Sequence, residues 1–402
     1  MPLSDVRVID MGQAIAGPIV GTFLGDLGAD VIKIERPSGD VWRVQRREMN
    51  GESFNPPFEL YNRNKQSLCV DVRTSEGLEV VHDLVKEANV FVQNWPPGVA
   101  EKLSLDYETL SDINDELVYT HVTGYGETGP LAHNPAFDTI AQHISGFSSI
   151  LGYADDMPPI RTQSSISDFF AGYNATISTL AALRAVDNVE SGQQIDVSLM
   201  ESMMHNMDGA FEYYNNLGEE LKKGGRNAFF EPDMLYGAAQ ANDGWIVVAL
   251  LLYSDAIWEA YCKLLDRPDL LEKPKYQTDD GRIADAKELT EKFEDWLKEI
   301  EADEAVEMLN TAGIPAAHHN TIPEVMELDH VEHREMFVDV DHSKLGTVTL
   351  TNTPLDLSES TPEIRRATPA LGEDNTNVLK KMGYSTDEIT RLQNRGILVS
   401  DN

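Results

Sequence analysis

The chain has 402 residues, of which 41% are hydrophobic, so it is long enough for two domains or for one domain with a large insertion. Its 68 acidic residues against 32 lysines and arginines give a formal net charge of -36. A surface this acidic repels nucleic acid and anionic membranes. Because the acidic residues are spread along the chain, we expect a protein adapted to high salt; an ordinary acidic protein is the alternative.

Neither the cysteines nor the histidines predict a metal site. Cys69 and Cys262 lie far from any metal-ligand spacing, and the adjacent His318 and His319 do not match the spacing of a helical zinc pair. The first eight residues lack the basic start and apolar run of a signal peptide, and no apolar stretch is long enough to span a bilayer. We therefore expect a cytoplasmic protein.

Strands and helices alternate through the first half of the chain. Residues 6–10 and 29–35 are predicted strands, joined by a small-residue loop at 11–18 and a helix at 19–27. Further strands are predicted at 65–71, 89–93, 117–122 and 192–198, with a helix at 74–87. This alternation favours an α/β domain with an open, mostly parallel, Rossmann-like sheet.

A ligand of such a sheet binds at the carboxyl ends of the strands, where Gly12, Gln13 and Arg36 fall. Residues 124–129 match the dinucleotide fingerprint G-x-G-x-x-G and follow a strand. Pro130 and Pro135 come next, so no helix begins where a pyrophosphate would need one. The sequence therefore excludes a Rossmann dehydrogenase.

The second half predicts a smaller domain. Residues 221–227 form a glycine-containing break with three cations, which fits a domain boundary or a ligand loop. Further elements are predicted at 244–250, 254–265, 287–297, 315–320, 347–350, 376–382 and 386–392. We expect a large domain at residues 1–200 and 321–402, a linker at 201–225 and a small α+β domain at 226–320.

The stretch 162–184 predicts a helix with an acid at its start. Ser165 or Ser167 caps the first turn, and Asp168 falls where the helix dipole favours a negative charge. Small residues that would let another backbone approach closely follow it, namely Ala171, Gly172 and Ala175. A carboxylate held there could serve as a nucleophile. The alternative is that Asp168 only stabilises the helix dipole.

Six motifs together resemble the class III coenzyme A transferases, the family of formyl-CoA and carnitine CoA-transferase. They are Asp-Val-Ile-Lys-Ile-Glu-Arg-Pro at 30–37, Asn-Arg-Asn-Lys-Gln-Ser at 62–67, Asn-Trp-Pro-Pro-Gly-Val at 94–99, Gly-Tyr-Gly-Glu-Thr-Gly-Pro at 124–130, Asp-Thr-Ile-Ala-Gln at 138–142, and the Asp168 helix. They occur in the family's order and spacing and cover most of residues 1–205. The family fold implies an interlaced dimer of ring-like subunits.

The resemblance implies a chemistry and a set of contacts. Asp168 would attack an acyl-CoA thioester to give an acyl–aspartyl anhydride, which CoA then converts to an enzyme thioester. No cofactor would be bound permanently, because the CoA thioester is itself a substrate. The residues implied to contact CoA are Gln13, Arg36, Lys65, Asn94, Lys102 and Asp138. For each of the cations, a solvated charge is the alternative.

Departures from the family pattern leave the small substrate open. Gln13 stands where the formyl-CoA enzyme has histidine, Ile15 replaces a glutamine, Lys102 replaces an arginine and Pro135 replaces a lysine. The glycine-rich lid of that enzyme is also missing. Two other readings fit the sequence: an acyl-CoA racemase of the same fold, with His133 as a candidate partner for the aspartate, and a non-catalytic CoA-binding scaffold.

An arginine cluster suggests which acid is moved. Arg43, Arg46 and Arg47 follow the turn that the resemblance implies to contact CoA, in a chain with few cations. Arginine forms paired bonds to carboxylates, so one of them could hold the far end of a dicarboxylate. This predicts succinyl-CoA or a similar dicarboxylic acyl-CoA as the donor. The alternative is that these arginines bind CoA phosphates or pair with surface acids.

Overall fold

The computed structural model describes residues 1–43, 47–153, 158–189, 191–227 and 233–401. Its strands are β1 (Arg7–Asp10), β2 (Asp30–Glu35), β3 (Glu48–Met49), β4 (Glu52–Ser53), β5 (Lys65–Cys69), β6 (Val90–Gln93), β7 (Val118–Thr123), β8 (Gln193–Ser198), β9 (Tyr236–Gln240), β10 (Trp245–Ala249), β11 (Ala316–His318), β12 (Phe337–His342) and β13 (Gly346–Thr351).

Its helices are α1 (Ala16–Asp26), α2 (Pro56–Asn62), α3 (Ser75–Val85), α4 (Val99–Lys102), α5 (Tyr107–Ser111), α6 (Asp138–Ile144), α7 (Phe147–Ile150), α8 (Ile166–Val189), α9 (Leu199–His205), α10 (Ala210–Leu217), α11 (Asp255–Leu264), α12 (Asp279–Ile283), α13 (Ala286–Leu297), α14 (Ala302–Thr311), α15 (Ile322–Met326), α16 (Asp329–His333), α17 (Asn375–Lys381) and α18 (Thr386–Asn394). Within the ranges described, every helix is too short or too polar to cross a membrane.

The chain forms two compact units. The first unit comprises Met1–Ser145, Thr162–Asn206 and Asp329–Asn402, and the second comprises Gly146–Arg161 and Met207–Leu328. The first unit is built on a six-stranded sheet in the order β5-β2-β1-β6-β7-β8, in which every pair is parallel. The predicted α/β architecture with an open parallel sheet is thus confirmed.

The sheet is covered on both faces because its strands are apolar on both. Val8 packs with α1 and α8 residues such as Val20 and Ala175. The next residue, Ile9, packs on the other face in a cluster that includes Leu84 of α3. Strands buried on both faces appear in the sequence as continuous apolar runs. For this reason, most predicted strand ends lie within about one residue of the ends in the structure.

Helix α1 begins earlier than predicted. The apolar spacing placed its start at Ile19, whereas the helix begins at Ala16 and includes Pro18 in its first turn. Proline is tolerated there because the backbone N–H groups of a first turn have no partner within the helix. The predicted loop at 11–18 therefore ends three residues sooner, and a loop at 11–15 joins β1 to α1.

The second unit has its own antiparallel sheet, in the order β11-β10-β9. One face of β10 is buried through Ile246 and Val248, which pack with Tyr261 of α11 and Phe293 of α13. The other face of the strand exposes Trp245 and Val247. This combination of an antiparallel sheet with helices on one face is an α+β arrangement.

The C-terminal residues return to edge strand β5. The Asp374 carboxylate accepts a hydrogen bond from Ser67 N at 2.8 Å, and the Asn375 side chain accepts one from Cys69 N at 2.8 Å. Further along, Val399 N donates to Cys69 O at 3.2 Å. The edge of the sheet is thereby covered by its own chain, which protects it from pairing with another strand.

Candidate active site

The strand order reverses around β1, which has β2 on one side and β6 on the other. Ligands of open α/β sheets bind at such a switch point, outside the carboxyl ends of the strands. The loop after β1 and the segment after β6 meet there: Gln13 N donates to Asn94 Oδ1 and Asn94 Nδ2 donates to Gln13 O, both at 2.8 Å. Gln13 therefore lies at the edge where the sequence placed it, and Asn94 lies beside it.

A cavity of about 520 Å³ opens at these carboxyl ends. Its wall includes the loop residues Gly12 and Gln13, the turn after β2 with Arg36, and the apolar side chains of Trp95 and Val99. Arg36 is exposed at its rim, with Nε donating to Gly39 O at 3.1 Å. An apolar wall beside an exposed guanidinium suits an aromatic base attached to a phosphate.

A buried ionic network holds the loop that lines this cavity. Asp10 accepts hydrogen bonds from Gly12 N at 2.8 Å and from the Lys65 ammonium at 2.7 Å. The Lys33 ammonium donates to Gly12 O at 2.9 Å and to Asp40 at 3.2 Å. Burial opposes the ionisation of Asp10, but attraction by Lys65 and Lys33 outweighs it and lowers the pKa of this carboxyl.

Lys65 does not face the cavity. Its side chain is fully buried, and besides Asp10 the ammonium donates to Pro18 O and Tyr61 O, both at 2.8 Å, and to Asn62 Oδ1 at 3.1 Å. Contact with CoA would require these bonds to open. The structure therefore gives Lys65 a role in fixing the loop and the start of α1, and we do not assign it to the ligand.

The other predicted cations divide into exposed and paired groups. Lys102 is exposed at the end of α4, and Arg47 is exposed before β3; neither side chain forms an ion pair with the described residues. Arg43 is instead held by Glu35, with Nη2–Oε2 at 2.6 Å and Nε–Oε1 at 2.7 Å, and also donates to Pro369 O. Arg46 lies outside the described residues.

Asp168 lies in the first turn of α8, as predicted. The carboxylate is partly buried and makes no hydrogen bond or ion pair with the residues that the structure describes. Burial, followed by the negative charge of Asp138, raises the pKa of Asp168 to about 7. A carboxylate without donors, in a poorly solvated position, is a stronger nucleophile than one stabilised by an ion pair.

Asp138 does not line the cavity but caps the helix that carries Asp168. Its Oδ1 accepts hydrogen bonds from Ser167 N at 3.0 Å and from Ser167 Oγ at 2.9 Å. Its Oδ2 accepts one from Gln142 Nε2 at 2.8 Å. The predicted cap Ser167 is thus bound to another helix, and the first turn of α8 is fixed by α6.

Helix α8 packs closely on α1, as its small residues predict. A Cβ on Gly172 would lie 2.7 Å from Ile19 Cγ2, so only glycine fits at this contact. The Phe169 ring lies between Tyr61, with a centroid separation of 5.8 Å, and Tyr173, at 6.3 Å. Because α1 follows directly from the cavity loop, this packing links the cavity wall to the helix of Asp168.

Neither the buried ionic network around Asp10 nor the hydrogen bond from the Gln142 amide to Asp138 was predicted from the sequence. Charged residues inside otherwise apolar strands, such as Asp10, Lys33 and Lys65, were a usable signal, because buried charges need partners. Gln142 carries no comparable signal. His133, the candidate partner for a racemase, is exposed, and its side chain makes no hydrogen bond or ion pair with the described residues.

A doubly wound parallel sheet with a cavity at its switch point is typical of α/β proteins that bind nucleotide-like ligands. Residues 3–375 match the family model described as CoA-transferase family III. The chain therefore belongs to CoA-transferase family III, and the resemblance seen in its motifs is confirmed.

Individual relatives agree over nearly the whole chain. Succinyl-CoA:mesaconate CoA-transferase of Haloarcula hispanica is 31% identical, covering 96% of this chain and 97% of the relative. Succinyl-CoA–L-malate CoA-transferase beta subunit of Chloroflexus aurantiacus is also 31% identical, covering 99% and 98%. A solved CAIB/BAIF family protein from Brucella suis is similar with a TM-score of 0.80 and 30% identity, covering 94% and 98%.

Proposed function

We propose that this enzyme transfers CoA from a dicarboxylic acyl-CoA, such as succinyl-CoA, to a free carboxylic acid, with Asp168 as the nucleophile. The observation that carries the proposal is the state of Asp168, a partly buried carboxylate without hydrogen-bond donors among the described residues. Its pKa of about 7 leaves a reactive anion at neutral and higher pH. A residue that only stabilised the helix dipole would have an ordinary or lowered pKa.

The reaction balances as a series of acyl exchanges. An Asp168 oxygen attacks the thioester carbonyl, and CoA thiolate leaves, forming an acyl–aspartyl anhydride. The thiolate attacks the aspartyl carbonyl, and the donor acid leaves as a carboxylate. The acceptor carboxylate attacks the aspartyl thioester and releases thiolate, which then attacks the acceptor's carbonyl and frees Asp168. An anhydride or thioester at each stage preserves the free energy of the original thioester.

We place the nucleotide part of CoA in the 520 Å³ cavity, with its base against Trp95 and Val99. Arg36 at the rim and Lys102 at the end of α4 are exposed cations suited to the phosphates. Gln13 and Asn94 contribute through the loop that they hold together. The interlaced homodimer stays a prediction of the resemblance.

The dicarboxylate preference rests on two supports. The relatives from Haloarcula hispanica and Chloroflexus aurantiacus are named for succinyl-CoA as donor, with mesaconate and L-malate as acceptors. Among the three arginines predicted to hold a distal carboxylate, Arg43 is already held by Glu35, whereas Arg47 is exposed. We therefore assign the carboxylate contact to Arg47 within the described residues.

Incorporation of labelled succinate into succinyl-CoA tests the reaction class, because the free acid enters the thioester only through a complete transfer cycle. A transferase incorporates the label, a racemase instead exchanges the α-proton, and a scaffold does neither. Asp168→Asn, verified by mass to exclude deamidation, is expected to lose exchange by at least about a thousandfold while binding CoA normally. Asp387→Asn, at the exposed first turn of α18, is the matched control. Equal activity in both variants would refute the assignment.

A panel of free acids assayed with succinyl-CoA at high salt tests the substrate. Dicarboxylates of four or five carbons are expected to be preferred over monocarboxylates. Arg47→Gln should raise KM for the dicarboxylate roughly tenfold, as loss of a charged hydrogen bond predicts, whereas Lys102→Gln should raise KM for the acyl-CoA. A preference for monocarboxylates, or an unchanged KM in Arg47→Gln, would rule out this part of the proposal.

A further inference from the structure

Gln142 is a fully buried amide on α6 that uses both ends of its side chain. Its Nε2 donates to Asp138 Oδ2 at 2.8 Å, and its Oε1 accepts a hydrogen bond from Thr162 N at 2.9 Å. The Thr162 hydroxyl lies 3.3 Å from the same Oε1, and Ser164 O lies 3.4 Å from Nε2. The side chain thus joins α6 to the segment that leads into α8.

The orientation of this amide is fixed by chemistry. A backbone N–H can only donate, so Thr162 N requires the oxygen of Gln142 on its side. The NH₂ group must then face the Asp138 carboxylate. Asp138 accepts this bond on one oxygen and the two bonds from Ser167 on the other. Gln142 is therefore connected through a single carboxylate to the residue immediately before Asp168.

We propose that Gln142 is a positioning residue of the transfer reaction, because it holds the Asp138 carboxylate across the first turn of α8 and so fixes Asp168. The inference rests on the proposed function of Asp168. Gln142 itself touches no substrate. Its effect passes through Asp138, which fixes the first turn of α8 at Ser167 and also supplies the negative charge that acts on Asp168.

Charged or titratable groups on the helices that pack around Gln142 can affect the pH profile of a variant with a carboxyl at this position. Among the described side chains of α6, α8 and α9, these groups are Asp138, His143, Asp168, Tyr173, Arg184, Glu201 and His205. His143, Glu201 and His205 are exposed, whereas Asp138 is buried beside Gln142. A carboxyl introduced at position 142 therefore interacts first with Asp138.

Two substitutions separate positioning from packing. Gln142→Met fills the same volume but removes both bonds; kcat is expected to fall roughly 10- to 100-fold, as for a misplaced nucleophile, with KM for acyl-CoA nearly unchanged. Gln142→Glu keeps the bond from Thr162 and restores the bond to Asp138 only while the two carboxyls share a proton. This variant is expected to gain an alkaline limb in its kcat profile, where the wild type stays on a plateau.

His143→Gln, on the exposed side of the same helix, is the matched control and should behave as the wild type. Thermal unfolding of each variant at the assay pH values shows whether the fold is intact. If Gln142→Met does not fold, Gln142→Glu decides the question alone. A wild-type pH profile for Gln142→Glu would overturn the positioning role. Activity retained in Asp168→Asn would instead overturn the proposed function, so the two failures are distinguishable.

Discussion

Replacing Asp168 by asparagine is expected to stabilise the protein at alkaline pH while abolishing its reaction. Burial and the charge of Asp138 raise the pKa of Asp168 from 3.8 to about 7. Between these values the folded protein binds a proton that the unfolded chain has released. Stability conferred by this group is therefore fully present below about pH 4 and is lost as the pH rises to 7.

The size of the effect follows from the shift. About three pKa units correspond to roughly 4 kcal/mol at 1.36 kcal/mol per unit. Asp168 keeps some access to solvent, and a charge at a helix start gains about 0.3–1 kcal/mol from the dipole. We therefore expect Asp168→Asn to raise the free energy of unfolding by about 2 kcal/mol at pH 8. At pH 5 the difference should be less than half as large, and below about pH 4, where Asp168 is protonated in both the folded and the unfolded state, it should nearly vanish.

Thermal unfolding at pH 8 and pH 5, at one high salt concentration, measures this difference. For a unit of this size the variant should melt several degrees above the wild type at pH 8. Asp387→Asn, which removes an exposed first-turn carboxylate from α18, should show no such gain. A variant that is no more stable than the wild type at pH 8 would contradict the account of Asp168 as a carboxylate destabilised by burial.

Three further predictions concern packing, pairing and pH. Gly172→Ala should cost about 1–3 kcal/mol of stability because its Cβ would meet Ile19 at 2.7 Å; in denaturant unfolding, Ile19→Ala should relieve this cost in the double variant. Arg43→Met should cost about 3–5 kcal/mol, since Glu35 is left buried without its partner; no loss would show that the pair contributes nothing. The transfer rate should have an acid limb near pH 7, the pKa of Asp168, whereas a limb near pH 4 would exclude burial as its cause.

The strands of the parallel sheet could be predicted from the sequence because their apolar runs coincide with the residues that are buried in the structure. Residues 6–10 and 29–35 were predicted as strands, and β1 and β2 occupy 7–10 and 30–35. The position of Asp168 at a helix start was predicted from a polar stretch followed by small residues, whereas its role as a nucleophile is what the family resemblance implies. The start of α1 was misplaced because apolar spacing gives no weight to Pro18, which is compatible with a first turn.

The site beyond Asp168 depended on contacts that are distant in sequence. Lys65 binds Asp10, 55 residues away, and Arg43 donates to Pro369, 326 residues away. No periodicity within a single element reveals such pairs. The same limit applies to Asp138, which matches a family position but whose link to Ser167 arises only when α6 and α8 pack together.

Because this chain has few cations, the way in which they are used bears on which of them can bind a ligand. In an acid-rich protein, a rare cation at first suggests a ligand site. Yet Lys33, Arg43, Arg63 and Lys65 are all largely or fully buried and bound to carboxylates. A buried carboxylate without a cationic partner destabilises the folded protein by several kcal/mol, whereas an exposed one destabilises it little. Many of the few cations are therefore used to pair with buried carboxylates. Exposure is therefore the better criterion for a phosphate or carboxylate contact, and it selects Arg36 over Lys65 and Arg47 over Arg43.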